Sequence, residues 1–294
     1  MAGAGCECGD DCPVTGQCWP GLCADDGVSI ADTFTDSSFR SYVSSNFDKD
    51  SNGYLSDAEI ANVTSIDVSK CSPAISSLNG VELFTNLSKL DCNEQSIRNL
   101  DIENLENLEY IDVSSNRIDS LTLPVSAEKL TYLDISGNKI TSLTSLADYN
   151  NLVLLNANST NLSSIDVSNM KGLKVLGVSG TTISTLDLGS NMELTTLYCD
   201  SMRSLPVLDV SGHEKLKNLY CAGAKSDSGV VVRSSITKLD VSGDIVLGSL
   251  DCSNSYVAEL NIDNTPALTT LDCSNTRLTS MKNPNPPAML GRIV

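Results

Sequence analysis

One histidine serves the whole chain of 294 residues, His213, and it sits in the segment Ser211-Gly212-His213-Glu214 with no nucleophile motif around it. No glycine-rich phosphate loop and no nucleophile elbow occurs either, so the usual sequence marks of phosphoryl transfer and serine hydrolysis are missing. Recurring carboxylates such as Asp112 and Asp134 would in principle suit glycoside chemistry, but aspartates at one place of a repeat are more simply a solvated column. The chain reads as a binding protein rather than an enzyme. No apolar run approaches the ~18 residues needed to cross a bilayer. The amino terminus shows no charged leader and no apolar stretch, so a secretory signal is expected to be absent or already removed. Basic residues are scarce, 19 Lys and Arg against 37 Asp and Glu, for a net charge of −18. That balance opposes nucleic acid and anionic membrane as partners and suits divalent cations or basic protein surfaces.

What the chain does have is repetition. A leucine opens each turn at Leu87, Leu108, Leu130, Leu152, Leu173, Leu194, Leu216, Leu247 and Leu268, at steps of 21, 22, 22, 21, 21, 22, 31 and 21 residues. A fixed period of this length signals a solenoid whose units stack because none can bury its apolar side alone. Aligned on the leucine, the turns give LxxLDx, as in Leu108-Glu109-Tyr110-Ile111-Asp112-Val113, with Asn156, Gly177, Tyr198 and Tyr220 in place of the aspartate in four of them. Place 6 holds Cys92, Val113, Ile135, Ala157, Val178, Cys199, Cys221, Cys252 and Cys273, a column of small buried hydrophobes in which the cysteines are expected to be free thiols. A second strand-like phrase recurs on the return path, at Leu100-Asp101-Ile102, Ile165-Asp166-Val167, Leu186-Asp187-Leu188, Leu208-Asp209-Val210 and Leu239-Asp240-Val241. No turn has room for a packed α-helix, so extended or 3₁₀ segments are expected on the outer side.

Four parts are expected. Residues 1–28 carry Cys6, Cys8, Cys12, Cys18 and Cys23 among Gly, Asp and Pro, a segment that orders only if cross-linked or metallated. The cysteine spacing lacks the paired CxxC of a strong zinc site, which favours a disulfide-tied or poorly ordered tip. Residues 29–62 read as a helical cap, with Asp36 or Ser37 capping a helix whose Phe39, Val43 and Phe47 form one stripe. Residues 63–282 hold a degenerate first turn and about nine regular repeats from Leu87, with an insertion near 222–234, and residues 283–294 form a proline-rich tail. That tail either covers the last rung or leads into further chain.

The cap ends in Asp48-Lys49-Asp50-Ser51-Asn52-Gly53-Tyr54-Leu55-Ser56-Asp57-Ala58-Glu59, which resembles a twelve-residue EF-hand calcium loop at each informative place. A hard cation wants six to eight oxygens at ~2.3–2.6 Å, and a tight loop supplies them from alternate residues. Asp48, Asp50 and Asn52 would give side-chain oxygens, Tyr54 its carbonyl, Ser56 a contact often made through water, and Glu59 both carboxylate oxygens. The exit helix has room only for about Ser56 to Asn62, so a structural Ca2+ clamp is expected rather than a sensor; the plainer alternative is an acidic turn.

The run Leu130-Thr131-Tyr132-Leu133-Asp134-Ile135-Ser136-Gly137-Asn138-Lys139-Ile140, continued by Leu143 and Leu146, resembles the leucine-rich repeat family, LxxLxLxxNxL, and within it bacterial surface proteins of the internalin type. The resemblance spans about two thirds of the chain and implies a horseshoe solenoid with a parallel β-sheet on its concave face, little helix, and attachment to a host cell or surface. It departs at the asparagine place, kept at Asn116 and Asn138 but Gln95, Thr160, Thr181, Met202, Ala224, Ser255 and Thr276 elsewhere; Met202 and Ala224 cannot bond the bend. In such a fold, places 3 and 5 face outward from the concave sheet. Tyr110, Tyr132, Leu154, Val175, Tyr198 and Tyr220 then form a stripe for a protein partner, with aspartates at both ends. The sequence therefore predicts a monomeric, secreted or cell-surface protein, an adhesin being one form of it. The competing readings are a structural spacer and a carbohydrate-binding surface protein.

Overall fold

The computed structural model describes residues 27–143, 146, 149–225, 230–283 and 292–293. The five-cysteine lead segment, the tip of the inserted loop and the proline-rich stretch 284–290 lie outside them.

Each LxxLDx phrase enters a three-residue strand at places 3 to 5. The middle residue points inward, and Leu90, Ile111, Leu133, Leu155, Leu176 and Leu197 are all fully buried. Places 1 and 6 join them in one continuous interior, as with Leu108 and Val113. Burying such a side chain contributes about 1.5–3 kcal/mol. One turn alone would leave both its flat sides wet, so that contribution is realised only by stacking.

Stacking produces an 11-stranded parallel sheet, running from Ser65–Asp67 through Lys89–Asp91, Tyr110–Asp112, Tyr132–Asp134, Leu154–Asn156, Val175–Gly177, Thr196–Tyr198, Asn218–Tyr220, Ser249–Asp251 and Thr270–Asp272 to Arg292–Ile293. Its register never slips: Lys89, Tyr110, Tyr132, Leu154, Val175, Thr196 and Asn218 are successive partners. The tail supplies the last strand, Arg292–Ile293 pairing with Thr270–Leu271.

After the strand, the residue at place 8 turns into the left-handed region, at Glu94, Ser115, Gly137, Ser159, Gly180, Ser201, Asn254 and Asn275, with φ between 51° and 72°. Place 9 then braces the bend. Asn138 donates Nδ2 to the carbonyls of Val113 on the previous rung and Ile135 on its own, and accepts from Ile118 N–H through Oδ1. Thr160 reaches its own rung at Ala157 O, while Thr181 donates to Val178 O on its own rung and to Met202 Sδ on the next.

The insertion corrects one expectation. Ala224 does not occupy the asparagine place; Ala224–Lys225 pairs antiparallel with Val231–Val232 as a hairpin, and the array resumes at Ser234, which bridges in parallel to Ser255. A ten-residue excursion begins one place before the bend residue, so counting forward from Leu216 lands on the hairpin instead of the bend.

On the return path, Val207–Asp209, Lys238–Asp240, Glu259–Asn261 and Ser280–Lys282 form a four-stranded parallel sheet, and Asn99–Asp101 pairs with Ser120–Thr122. The phrases at Ile165–Val167 and Leu186–Leu188 are not strands; a groove lined by Ile165–Ser168 and Thr185–Asp187 lies where their ladder would close.

The amino-terminal end is covered by three short helices, α1 (Ile30–Thr33), α2 (Ser37–Asn46) and α3 (Asp57–Ala61). Asp36 caps α2, Oδ1 accepting from Ser38 and Phe39 N–H, while its Oδ2 accepts from Ser76 N–H and Oγ–H and so ties the cap to the first turn. Those bonds hold its carboxyl below the usual range despite the opposing effect of burial. Phe34, Phe39 and Phe84 close the end of the core, ring centroids 5.5 and 6.0 Å apart.

Candidate functional site

The cap loop sits between α2 and α3. Phe39 and Val43 of α2 are fully buried and fix the loop's entry, and Leu55 is buried at its far side. Tyr54–Leu55 pairs antiparallel with Val28–Ser29, so the chain's own lead-in holds the strand half of the loop. Gly53, at φ 86°, makes the sharp turn, and its N–H donates to Asp48 Oδ2 at 3.0 Å. Asp50 Oδ2 accepts from Asn52 Nδ2 at 3.0 Å, and Asn52 Oδ1 accepts from Tyr54 N–H at 2.7 Å.

Glu59 reaches back over the loop. Oε1 accepts from Lys49 N–H at 2.6 Å and Oε2 from Ser56 N–H at 2.9 Å, while Ser56 Oγ accepts from Glu59 N–H in a reciprocal cap. The backbone bonds from Ser56 and Lys49 hold its carboxyl below the ordinary range. One carboxylate oxygen from each of Asp48, Asp50 and Glu59 lies within 4.8 Å of the others. Among the described residues, no other set of three or more acidic, histidine or cysteine side chains converges in this way. The donor set is all oxygen, which suits a hard cation.

The concave face is set by alternation along each strand. Place 3 carries Tyr110, Tyr132, Leu154 and Val175 on four successive rungs, each half-buried. Tyr198 and Tyr220 occupy place 5 instead and are 37% and 44% exposed. The stripe therefore steps from one column to the next, and the step falls at Gly177. A side chain there would begin 2.6 Å from Asn156 Oδ1. The six residues form two stacked pairs joined by aliphatics: Tyr110 on Tyr132 with centroids 4.2 Å apart, and Tyr198 on Tyr220 at 4.8 Å.

Beside the first pair runs a column of four aspartates, Asp67, Asp91, Asp112 and Asp134, in register; Asp67 is exposed but the other three are buried, so the column is not the solvated one the sequence suggests. Each turns Oδ1 to the residue two places on, as Asp112 does to Ser114 N–H and Oγ–H at 3.0 and 2.6 Å. Asp134 Oδ2 accepts from Asn156 Nδ2 at 2.8 Å. Burial, with the charges of Asp67 and Asp112 added, pushes the Asp91 carboxyl up. Tyr132 is likewise pushed up by burial and by Asp134.

A second polar column escaped the sequence reading. Asn191, His213, Asp244 and Thr265 are all buried, each three residues after the inward aliphatic of a return phrase. Asn191 donates to Val167 O and Met170 O, the two ring nitrogens of His213 lie against Val210 O and Leu188 O, and Thr265 donates to Ile262 O. The constant offset was the available signal, hidden because four different residue types share the place. The histidine is therefore a brace inside the solenoid.

Cys92, Cys199, Cys221 and Cys252 are buried and free, and Cys273 is half-buried. Burial pushes their thiols up, Cys252 to about 12, which removes them from nucleophilic chemistry at neutral pH.

No curated protein sequence matches the chain. A family profile described as "Leucine Rich repeats (2 copies)" matches residues 106–148. Among solved structures, internalin C2 from Listeria monocytogenes is similar at 17% identity, over 91% of this chain and 95% of that one, with a TM-score of 0.54. The functional domain of InlJ from the same organism, which includes a cysteine ladder, is similar at 25% identity over 86% of this chain and 72% of that one, TM-score 0.42. Another internalin from that organism, InlF, is similar at 18% identity over 88% and 98% of the two chains, TM-score 0.38. No helix among the described residues is long and apolar enough to cross a membrane. The turn-by-turn geometry, the matched repeats and the shared fold give this chain the leucine-rich repeat fold, with internalin C2 among its structural neighbours.

Proposed function

We propose that this chain is a non-enzymatic binding protein of the cell surface or extracellular space that takes a protein partner on its concave sheet, with a calcium ion stiffening the cap. One observation carries the reading: two stacked tyrosine pairs, bridged by Leu154 and Val175, lie half-exposed or exposed along a rigid sheet. Tyrosine contributes large contact area at low entropic cost, and stacking holds each pair ready for contact before a partner arrives. Adhesion to another cell is the form of this function that the internalin-like fold suggests.

Calcium would be held by Asp48, Asp50 and Asn52 side chains, Tyr54 O and Glu59, with Ser56 contributing through water. The convergence of the three carboxylates supports this. The ion would neutralise that acidic knot and leave α2 and α3 fixed against the first turn. Such an ion acts on structure, and its level outside cells suits a weak site there.

The test is to apply labelled parent chain and the Tyr132→Ser/Tyr198→Ser variant to an array of extracellular domains. Binding by the parent that the variant loses supports the concave face. Equal binding by both, or none by the parent, overturns it and leaves a spacer.

A further inference from the structure

Resting on the concave-face reading, we propose that Tyr110 and Tyr132, with Asp91, Asp112 and Asp134 beside them, receive arginine or lysine side chains from a basic, extended segment of the partner protein.

The three carboxylates are largely desolvated, Asp91, Asp112 and Asp134 being 8%, 9% and 9% exposed, so a cation that reaches them meets little screening water. Places 3 and 5 lie on the same side of a strand, so each of two successive rungs sets a phenol ring next to a carboxylate. Aromatic faces attract cations through their quadrupole, and an adjacent carboxylate completes the charge-assisted contact. The molecule already shows the mode once. Lys89, directly below Tyr110 in the place 3 column, carries its ammonium 5.1 Å from the Tyr110 ring centroid, 3.6 Å from Asp91 and 3.9 Å from Asp67.

That lysine is alone. The four strands Ser65–Asp67, Lys89–Asp91, Tyr110–Asp112 and Tyr132–Asp134 carry four aspartates and no other basic residue. Among the described residues, the ion pairs of this face both belong to Lys89, leaving Asp112 and Asp134 without a cation. Like charges one rung apart repel, and the charges of Asp67 and Asp112 add to the burial that raises the Asp91 carboxyl. An incoming cation removes that repulsion, which an apolar or acidic partner would not. The second tyrosine pair differs: the place 3 residues of its own rungs are Thr196 and Asn218, and the carboxylate in register with it, Asp251, pairs with Tyr220 alone.

The probe is a fluorescein-labelled peptide of alternating arginine and serine, about twelve residues long so that ~3.3 Å per residue spans several ~4.8 Å rungs. Citrulline replaces arginine in a neutral twin. Anisotropy at moderate salt reads the affinity of the full chain and its variants.

The citrulline peptide and the Asp112→Asn/Asp134→Asn variant should each lose roughly tenfold or more. The Asp187→Asn/Asp209→Asn variant removes the same charge from exposed positions on the return path and should change affinity less than about twofold. Lys89→Ala should bind more tightly, because it vacates the Asp67 and Asp91 carboxylates and the Tyr110 ring, a gain that misfolding cannot imitate. No binding by the parent, equal binding of the citrulline peptide, or an equal loss in the return-path variant overturns the proposal. If the arginine peptide fails while the array hits still depend on Tyr132 and Tyr198, the basic partner is refuted and the concave face stands. Array hits indifferent to the tyrosines refute the underlying reading instead.

Discussion

The backbone N–H of His213 donates to Oδ1 of Asp244, 2.9 Å away and 31 residues further along the chain, joining one rung of the buried return-path column to the next. The other oxygen of that carboxyl, Oδ2, is buried with no hydrogen-bond partner. Burial first, then the charges of Asp240 and Asp209, push the Asp244 carboxyl to about 8, against the pull of the His213 bond.

The sign of the pH effect follows. The folded chain keeps the Asp244 proton to about pH 8, whereas the unfolded chain releases it near pH 4, so this residue's stabilisation is full below about pH 4 and lost as pH rises to about 8. Asp244→Asn supplies a permanent donor, as Asn191 does two rungs earlier. Its urea midpoint, measured beside the parent's from about pH 5 to pH 9, should gain on the parent up to about pH 8 and then level off. Two parallel curves would show that Asp244 does not titrate in this range.

The bend ladder should be unequal. Asn138 bonds both its own rung and its neighbours, so Asn138→Ala strands several buried groups and should cost about 3 kcal/mol. Thr160→Val loses a single bond within one rung and should cost about 1 kcal/mol. Chemical denaturation of the two variants separates them, and similar losses would mean that the bridging bonds add nothing.

Two glycines without side-chain space should differ in the same way. At Gly223 a Cβ would lie 2.0 Å from the Asn254 carbonyl oxygen and 2.6 Å from that of Val232, both backbone. At Gly177 the nearest atoms are the ends of the Asn156 and Asn158 side chains, which can swing aside. Gly223→Ala should cost about 3 kcal/mol or more and Gly177→Ala about 1 kcal/mol, read from thermal unfolding.

Calcium should raise the unfolding temperature of the parent relative to chelator, by mass action on the folded cap. Glu59→Gln keeps the shape of the closing residue and removes its charge, so the rise should vanish. A parent indifferent to calcium would reduce the loop to an acidic turn held by its own backbone bonds.

Much of this molecule is legible in its sequence because a solenoid repeats its physics. Leu108, Ile111 and Val113 announce the inward face of one turn, and the same three places announce it for every other. The tyrosine stripe was readable for the same reason, since alternation decides which way Tyr110 and Tyr132 face. What could not be read was anything depending on neighbouring rungs at once. Ser234 takes over the bend because the hairpin loops out between two places that still stack. The return phrases at Ile165 and Leu186 look like strands by composition, yet strand formation is decided by whether the adjacent rungs close on them.

The return-path sheet from Val207 to Lys282 also sets curvature. A solenoid bends when its outer side spaces the turns more widely than its inner side. Where a parallel ladder runs down both sides, each imposes the same ~4.8 Å step, and no wedge is left between turns. The later turns should therefore run as a straight bar, while those around Ile165 and Leu186, unladdered on the return path, are free to fan. Bending is then concentrated where Leu154 and Val175 line the inner face, between the two tyrosine pairs. A change in bend there would alter the distance between the pairs without disturbing either one, so the span they offer a partner is set by the back of the molecule.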